Sequence, residues 1–241
     1  MKLIQYEGRY GNKLFMYCKG LVDCIENEST IINHFENGLT NHNALPSIFK
    51  RLDDYQNNFY HELCIKEKFP FYDDANDMQI GFFQDKDTID KFKKYKHILF
   101  KKYKVNEGVW VTARLGDTES DDFKKNNIPG YDYYAKILKN LNYETGYISS
   151  DIPDHDIVKR LSHNFNLKIV NLDPDETLKY AHTFQYKILG LGTYCWWVGF
   201  LGNSLYSKVF YPEPTDYVKW HGDIFQDMGW TPITKEWVKH N

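Results

Sequence analysis

Short apolar runs along the chain alternate with segments in which apolar residues recur every three to four positions. Residues 2–6 read as a strand, Gly8-Arg9-Tyr10-Gly11-Asn12 breaks it, and Leu14, Phe15, Cys18, Leu21, Val22 and Ile25 set a helical rhythm over 13–25. A strand, a glycine-bearing turn and a helix make the first half of a βαβ unit. Residues 30–32 predict a second, weak strand. Residues 33–77 are irregular and aromatic, and 80–84 read as a short strand or turn. Ile89, Phe92, Tyr95 and Leu99 then predict an amphipathic helix within 85–104, whose outer face is basic. Such a face is either solvated surface or a device that steers an anionic substrate.

The second half is more regular. Strands are predicted at 108–113, 145–150, 167–172, 187–192 and 209–211, and helices at 131–141, 152–163, 175–183 and from 196 to 205. Pro153 falls in the first turn of its predicted helix, where proline is tolerated. Strands alternating with helices imply an α/β fold with a parallel sheet covered on both faces. The polar and aromatic tail, 215–241, is expected to pack across the two halves of the chain.

Composition narrows the classes. The 241 residues are 42% hydrophobic and 26% charged, which excludes a disordered chain. No apolar run reaches the roughly 18 residues of a membrane span. The opening residues turn polar too early for a signal peptide, so a cytoplasmic location is expected. A net charge of −3 gives no electrostatic case for nucleic-acid binding. Cys18, Cys24, Cys64 and Cys195 lack CxxC spacing, the histidines lack HExxH spacing, and neither GxSxG nor a Walker A loop is present. No metal site is therefore expected. The 19 tyrosines and 6 tryptophans suit sugar-binding faces as well as cores.

Candidate chemistry gathers at the carboxyl ends of predicted strands, where open α/β sheets bind ligands. The Gly8–Asn12 turn is either a tight connection or a place where backbone meets a ligand; it is not GxGxxG. Arg114, past a buried strand, has the planar fork that suits phosphate, or it pairs with Asp117 to hold its loop. Ser149-Ser150-Asp151 sits past a second strand, and there Ser150 or Asp151 is a helix cap or a ligand contact. Asp173, Asp175 and Glu176 raise the same alternative, a carboxylate being also a partner for guanine N–H groups. Gly192-Thr193-Tyr194-Cys195-Trp196-Trp197 places small residues and a hydroxyl at a helix start, an anion-binding arrangement, with at least one tryptophan structural.

Taken in order, these segments resemble the α-1,2-fucosyltransferases of glycosyltransferase family 11 and, more distantly, the α-1,6- and protein O-fucosyltransferases. Residues 8–15, GRYGNKLF, resemble the family's GGLGNQLFQ-type start, and 80–84, IGFFQ, its GYFQ segment. Residues 111–117, VTARLGD, resemble HxRRGD; 147–151, YISSD, resemble FSDD; and 192–197, GTYCWW, resemble SSFSWW. Thr112 stands where the motif has histidine, Leu115 where it has a second arginine, Ile152 at the second aspartate and Lys13 at the glutamine.

The resemblance implies a GT-B architecture of two Rossmann-like domains facing a cleft, an N-terminal acceptor-side domain at 1–104 and a C-terminal nucleotide-sugar domain at 105–214. It implies an inverting transferase that uses GDP-β-L-fucose, requires no metal or other cofactor, and acts on a glycan acceptor. By position, Arg114 matches the residue on the donor phosphates and Asn12 the asparagine near the reacting centre. Thr193 and Tyr194, with Gly192 and Cys195, match the phosphate-contacting turn, and Asp175 or Glu176 lies near the base-recognising carboxylate. Gly8, Arg9, Tyr10, Gly11, Thr112, Ser150 and Asp151 complete the expected donor contacts. Glu7, Asp117 and Asp151 are the candidate general bases. Two alternatives stand beside this reading: a glycosyltransferase with a different nucleotide sugar, and a non-catalytic glycan- or nucleotide-binding domain.

Overall fold

The computed structural model describes residues 2–5, 8–27, 31–34, 62–65, 78–79, 83–101, 103–116, 128–202, 206–213, 224–225 and 228–234. The chain divides into two compact units, Met1–Lys102 and Tyr103–Asn241.

In the first unit, strands β1 (Lys2–Gln5), β2 (Ile31–His34), β3 (Glu62–Ile65) and β4 (Met78–Gln79) form a parallel sheet in the order β3-β2-β1-β4. Helix α1 (Tyr10–Asn27) links β1 to β2, completing the βαβ unit that the alternation predicts. It begins three residues earlier than its apolar rhythm, because Gly8 at φ +74° turns the chain directly into it. Leu14, Phe15, Cys18, Leu21 and Val22 are buried. Helix α2 (Lys86–Leu99) is capped by Asp85, whose carboxylate accepts from the Thr88 N–H at 2.8 Å. Its apolar stripe meets α1 through Phe92, 5.9 Å from Phe15 between ring centres. Lys91 and Lys94 of its basic face pair with Glu26. Strand β3 lies in the stretch whose pattern predicts no element.

The second unit is a six-stranded, all-parallel sheet in the order β10-β9-β8-β5-β6-β7. Its elements in chain order are β5 (Asn106–Ala113), α3 (Tyr131–Leu138), β6 (Gly146–Ser150), α4 (Asp156–Phe165), β7 (Leu167–Val170), α5 (Pro174–Ala181), β8 (Phe184–Leu189), α6 (Thr193–Leu201), β9 (Lys208–Pro212) and β10 (Thr231–Ile233). The chain runs outward from β5 through β6 to β7, returns to β8 beside β5, and runs outward again through β9 to β10. This is the doubly wound, Rossmann-type order, with its reversal between β5 and β8. Within the tail, residues 231–233 are the edge strand β10.

Alternation along the strands assigns the two faces. Val109, Val111, Ala113, Ile148 and Ile188 pack against Tyr133, Tyr134, Ile137 and Leu138 of α3 and Val158 and Leu161 of α4. On the other face Trp110 meets Tyr180 of α5, and Leu189 lies beneath Gly199 of α6. Trp196 and Trp197 are both buried, in edge-on contact, and the Trp196 indole N–H donates to the Ile224 carbonyl. Both are core residues, although on a helix two neighbours diverge.

Several boundaries in this unit differ from the periodicity. The helix predicted from residue 152 starts at Asp156, capped by His155 through its Nδ1 and the Ile157 N–H. The Ser150 hydroxyl accepts from the Ile152 N–H and holds the intervening residues in a turn. Strand β8 and helix α6 each begin three residues early. Gly190 through Gly192 are not strand but the connection between them, closed by Gly192 at φ +116°.

Candidate functional site

The reversal of strand order opens a crevice beyond the carboxyl ends of β5 and β8. Arg114 leaves β5 there, and Gly190-Leu191-Gly192 leaves β8. Gly190 continues the pairing, its N–H donating to the Thr112 carbonyl at 2.8 Å. A Cβ at 190 would lie 2.9 Å from that oxygen and 3.1 Å from the Arg114 nitrogen, so only glycine lets the two chains approach so closely. Buried Tyr133 and Tyr134 of α3 brace the strand ends, donating to the carbonyls of Leu189 and Thr112. Burial raises both phenols well above their ordinary pKa, so both stay protonated donors.

Asp151, past the end of β6, organises the loop that carries Arg114. Its carboxylate accepts from the N–H of Leu115 at 2.8 Å and of Gly116 at 3.1 Å, and the Arg114 Nε lies 3.5 Å from Oδ2. At Gly116 a Cβ would stand 2.8 Å from that carboxylate oxygen, so a larger residue would push Asp151 aside. The Arg114 side chain is held at its base and is 18% exposed. Asp117, the alternative loop partner and candidate base, lies outside the described residues, as does Glu7.

Helix α6 starts beside this arginine. A Cβ at Gly192 would sit 3.7 Å from the Arg114 Cδ, so the guanidinium stem and the first turn of α6 adjoin. The N-cap of α6 is Gly192, which has no side chain to cap with, and its first turn holds no acid, whereas the first turn of α5 carries Asp175 and Glu176 and is capped by Asp173. The positive end of α6 therefore favours an anion and that of α5 is offset by its own carboxylates. Tyr194 joins the two helix starts, its hydroxyl donating to the Pro174 carbonyl at 2.8 Å. Cys195 is fully buried; desolvation pushes its thiol up to about 12 despite Arg114 nearby, so it is no nucleophile at neutral pH. What Cys195 offers a ligand is its main-chain N–H.

The second unit thus brings together Thr112, Arg114, Ser150, Asp151, Gly192, Thr193, Tyr194 and Cys195 around one strand-end crevice, with Asp175 and Glu176 at the start of α5. Ser150 is engaged in its own turn. In the first unit Gly8, Arg9 and Tyr10 precede or open α1, Gly11 is buried, and Asn12 in the first turn accepts from the Gln84 amide at 3.1 Å. Phe83, at φ +51°, turns the chain just before that glutamine. The sequence marks Gln84 only as part of the 80–84 segment and Ser149 only as part of Ser149-Ser150-Asp151, with no separate role for either; a small polar residue next to the end of a buried strand was the available signal for Ser149. Among the described residues no group of three His, Cys, Asp or Glu side chains could hold a metal ion, and no helix is long and apolar enough to cross a membrane.

The class defined at this point is an α/β protein with a doubly wound parallel sheet that carries Arg114, paired with Asp151, at its strand-order reversal. Comparison of the chain with protein-family models, with curated proteins and with solved structures finds no match to any of them.

Proposed function

We propose that the chain is an inverting, metal-independent glycosyltransferase of GT-B type that transfers L-fucose from GDP-β-L-fucose to a hydroxyl of a glycan, in the manner of the α-1,2-fucosyltransferases it resembles. The observation that carries this reading is the convergence of Arg114 and the Gly192 start of α6 at the strand-order reversal of a Rossmann-type sheet. Breaking the bond between the sugar's anomeric carbon and the phosphate leaves a nucleoside diphosphate with growing negative charge. Arg114 and the helix-start amides meet that charge, and a group of this kind typically contributes ~10²–10³ in rate. The acceptor hydroxyl attacks from the opposite face and forms the new glycosidic bond with inversion. Its proton passes to a carboxylate, with Glu7 and Asp117 the candidates, Asp151 being committed to its loop. Asn12, oriented by Gln84, belongs to the acceptor-side unit in this reading.

A second reading keeps the reaction and changes the donor. Leu115, at the position of the motif's second arginine, is buried in the core cluster, and Thr112 replaces its histidine, so the nucleotide contacts differ from the family pattern. A thermal-shift panel of GDP, UDP and dTDP separates the donors. Stabilisation by one of them, lost in Arg114→Ala, supports transfer chemistry at this crevice; product formation above background then excludes a binding module. No stabilisation by any nucleotide rejects the reading.

A further inference from the structure

Two hydroxyl oxygens one step below the Arg114–Asp151 pair, Thr112 Oγ1 and Ser149 Oγ, are buried without a hydrogen-bond partner. Thr112 is 4% and Ser149 6% exposed, and the two are register partners across β5 and β6. Val111 and Ile148 face α3 and α4, so Thr112 and Ser149 project from the opposite face, toward α5 and α6. Arg114 follows Thr112 by two residues and Asp151 follows Ser149 by two. The four form two tiers: a charged pair at the strand ends and a hydroxyl pair beneath. The Trp110 indole N–H, one step further down the same face of β5, is also unpartnered. Valine and alanine would fill these places without the cost of stranding a polar atom away from water.

We propose that Thr112 and Ser149 are an inner tier of the ligand site and donate to the diphosphate of the nucleotide whose outer oxygens Arg114 holds. The inference rests on the nucleotide-sugar reading above and extends it to Ser149. Both hydroxyls can donate, so a group rich in acceptors satisfies the pair. A diphosphate at neutral pH is such a group. Helices α5 and α6 cover this face, and Tyr194 ties their first turns together through Pro174.

The test is calorimetric titration of the full chain with whichever of GDP, UDP and dTDP the wild type prefers and with the matching nucleoside, beside melting curves without ligand. Thr112→Val and Ser149→Ala keep shape and remove the hydroxyl. Each variant is expected to melt at or above the wild-type temperature without ligand, yet to bind the diphosphate about tenfold more weakly, with nucleoside binding unchanged. Thr112→Ser restores the hydroxyl and is expected to recover the affinity. Wild-type diphosphate affinity in both deletion variants overturns the proposal and leaves the donor reading intact. A wild-type chain that binds no nucleoside diphosphate overturns both.

Discussion

Removing the Asp151 carboxylate should loosen the loop that aims Arg114. In Asp151→Ala the amides of Leu115 and Gly116 lose an ionised acceptor, and the Arg114 Nε loses a partner 3.5 Å away. A hydrogen bond to a buried charged group contributes about 1.5–3 kcal/mol. The carboxylate is 30% exposed, so about 1–1.5 kcal/mol for each amide is the fitting scale. The part-exposed ion pair adds at most ~1 kcal/mol. The expected loss is therefore about 2–4 kcal/mol, which at a slope of about 2 kcal/mol per molar urea lowers the midpoint by about 1–2 M. All six tryptophans lie within 103–241, so tryptophan fluorescence in a urea titration follows the second unit alone. Asp151→Asn keeps one carbonyl oxygen as acceptor and should lose about half as much. An alanine variant within ~0.5 kcal/mol of wild type would refute the clamp and return Asp151 to the candidate bases.

Other consequences are equally direct. Gly190→Ala forces a Cβ to within 2.9 Å of the Thr112 oxygen, so it should cost about 1–3 kcal/mol in the same titration and weaken nucleotide binding by displacing Arg114. Lys187, fully buried on β8, donates to the Phe184 carbonyl and lies against the end of α6, where a cation offsets the negative end of the helix dipole. Lys187→Ala should cost about 3–5 kcal/mol, and Lys187→Met, which keeps the volume, clearly less. Burial lowers the Lys96 ammonium to about 8 from its ordinary 10.5. The unfolded chain therefore holds its proton more tightly, and the Lys96 contribution to stability should rise between about pH 8 and pH 10.5, by up to roughly 3 kcal/mol. Urea melts of the full chain followed by circular dichroism at pH 7.5 and 10 should show a larger rise in wild type than in Lys96→Met, the difference being the Lys96 contribution.

Much of this was legible in the pattern because a parallel sheet buried on both faces writes itself as short apolar runs separated by helical rhythm. The runs around Val109–Val111 and Ile148 and the helix of Tyr133, Ile137 and Leu138 fall where they do for that reason. The order of the strands was not legible, since the residues of β8 do not encode that β5 is their neighbour. The pattern extends β8 through Gly190 because a glycine inside an apolar run has the signature of strand, whereas β8 ends at Leu189 and Gly190 is placed by its contact with the Thr112 carbonyl. Lys187 was hidden because a lysine reads as surface, and its burial depends on the end of α6, fourteen or more residues on. At the site, Arg114 and the turn at 192–194 were visible from their places after predicted strands. The Arg114 partner was not: Asp151 reaches it across the sheet, whereas sequence proximity pointed to Asp117. Ser149 was visible only as one of the run Ser149-Ser150-Asp151, because only the alternation of faces distinguishes it from Ser150.

The most direct measurement compares nucleotide-induced stabilisation of wild type with that of Arg114→Ala and Arg114→Lys, the second keeping the charge without the fork. A nucleoside diphosphate at a hundred times its Kd should stabilise wild type by about 2.7 kcal/mol, most of it lost in Arg114→Ala and only partly regained in Arg114→Lys. Equal stabilisation of all three chains would contradict the assignment of the strand-end crevice as the diphosphate site.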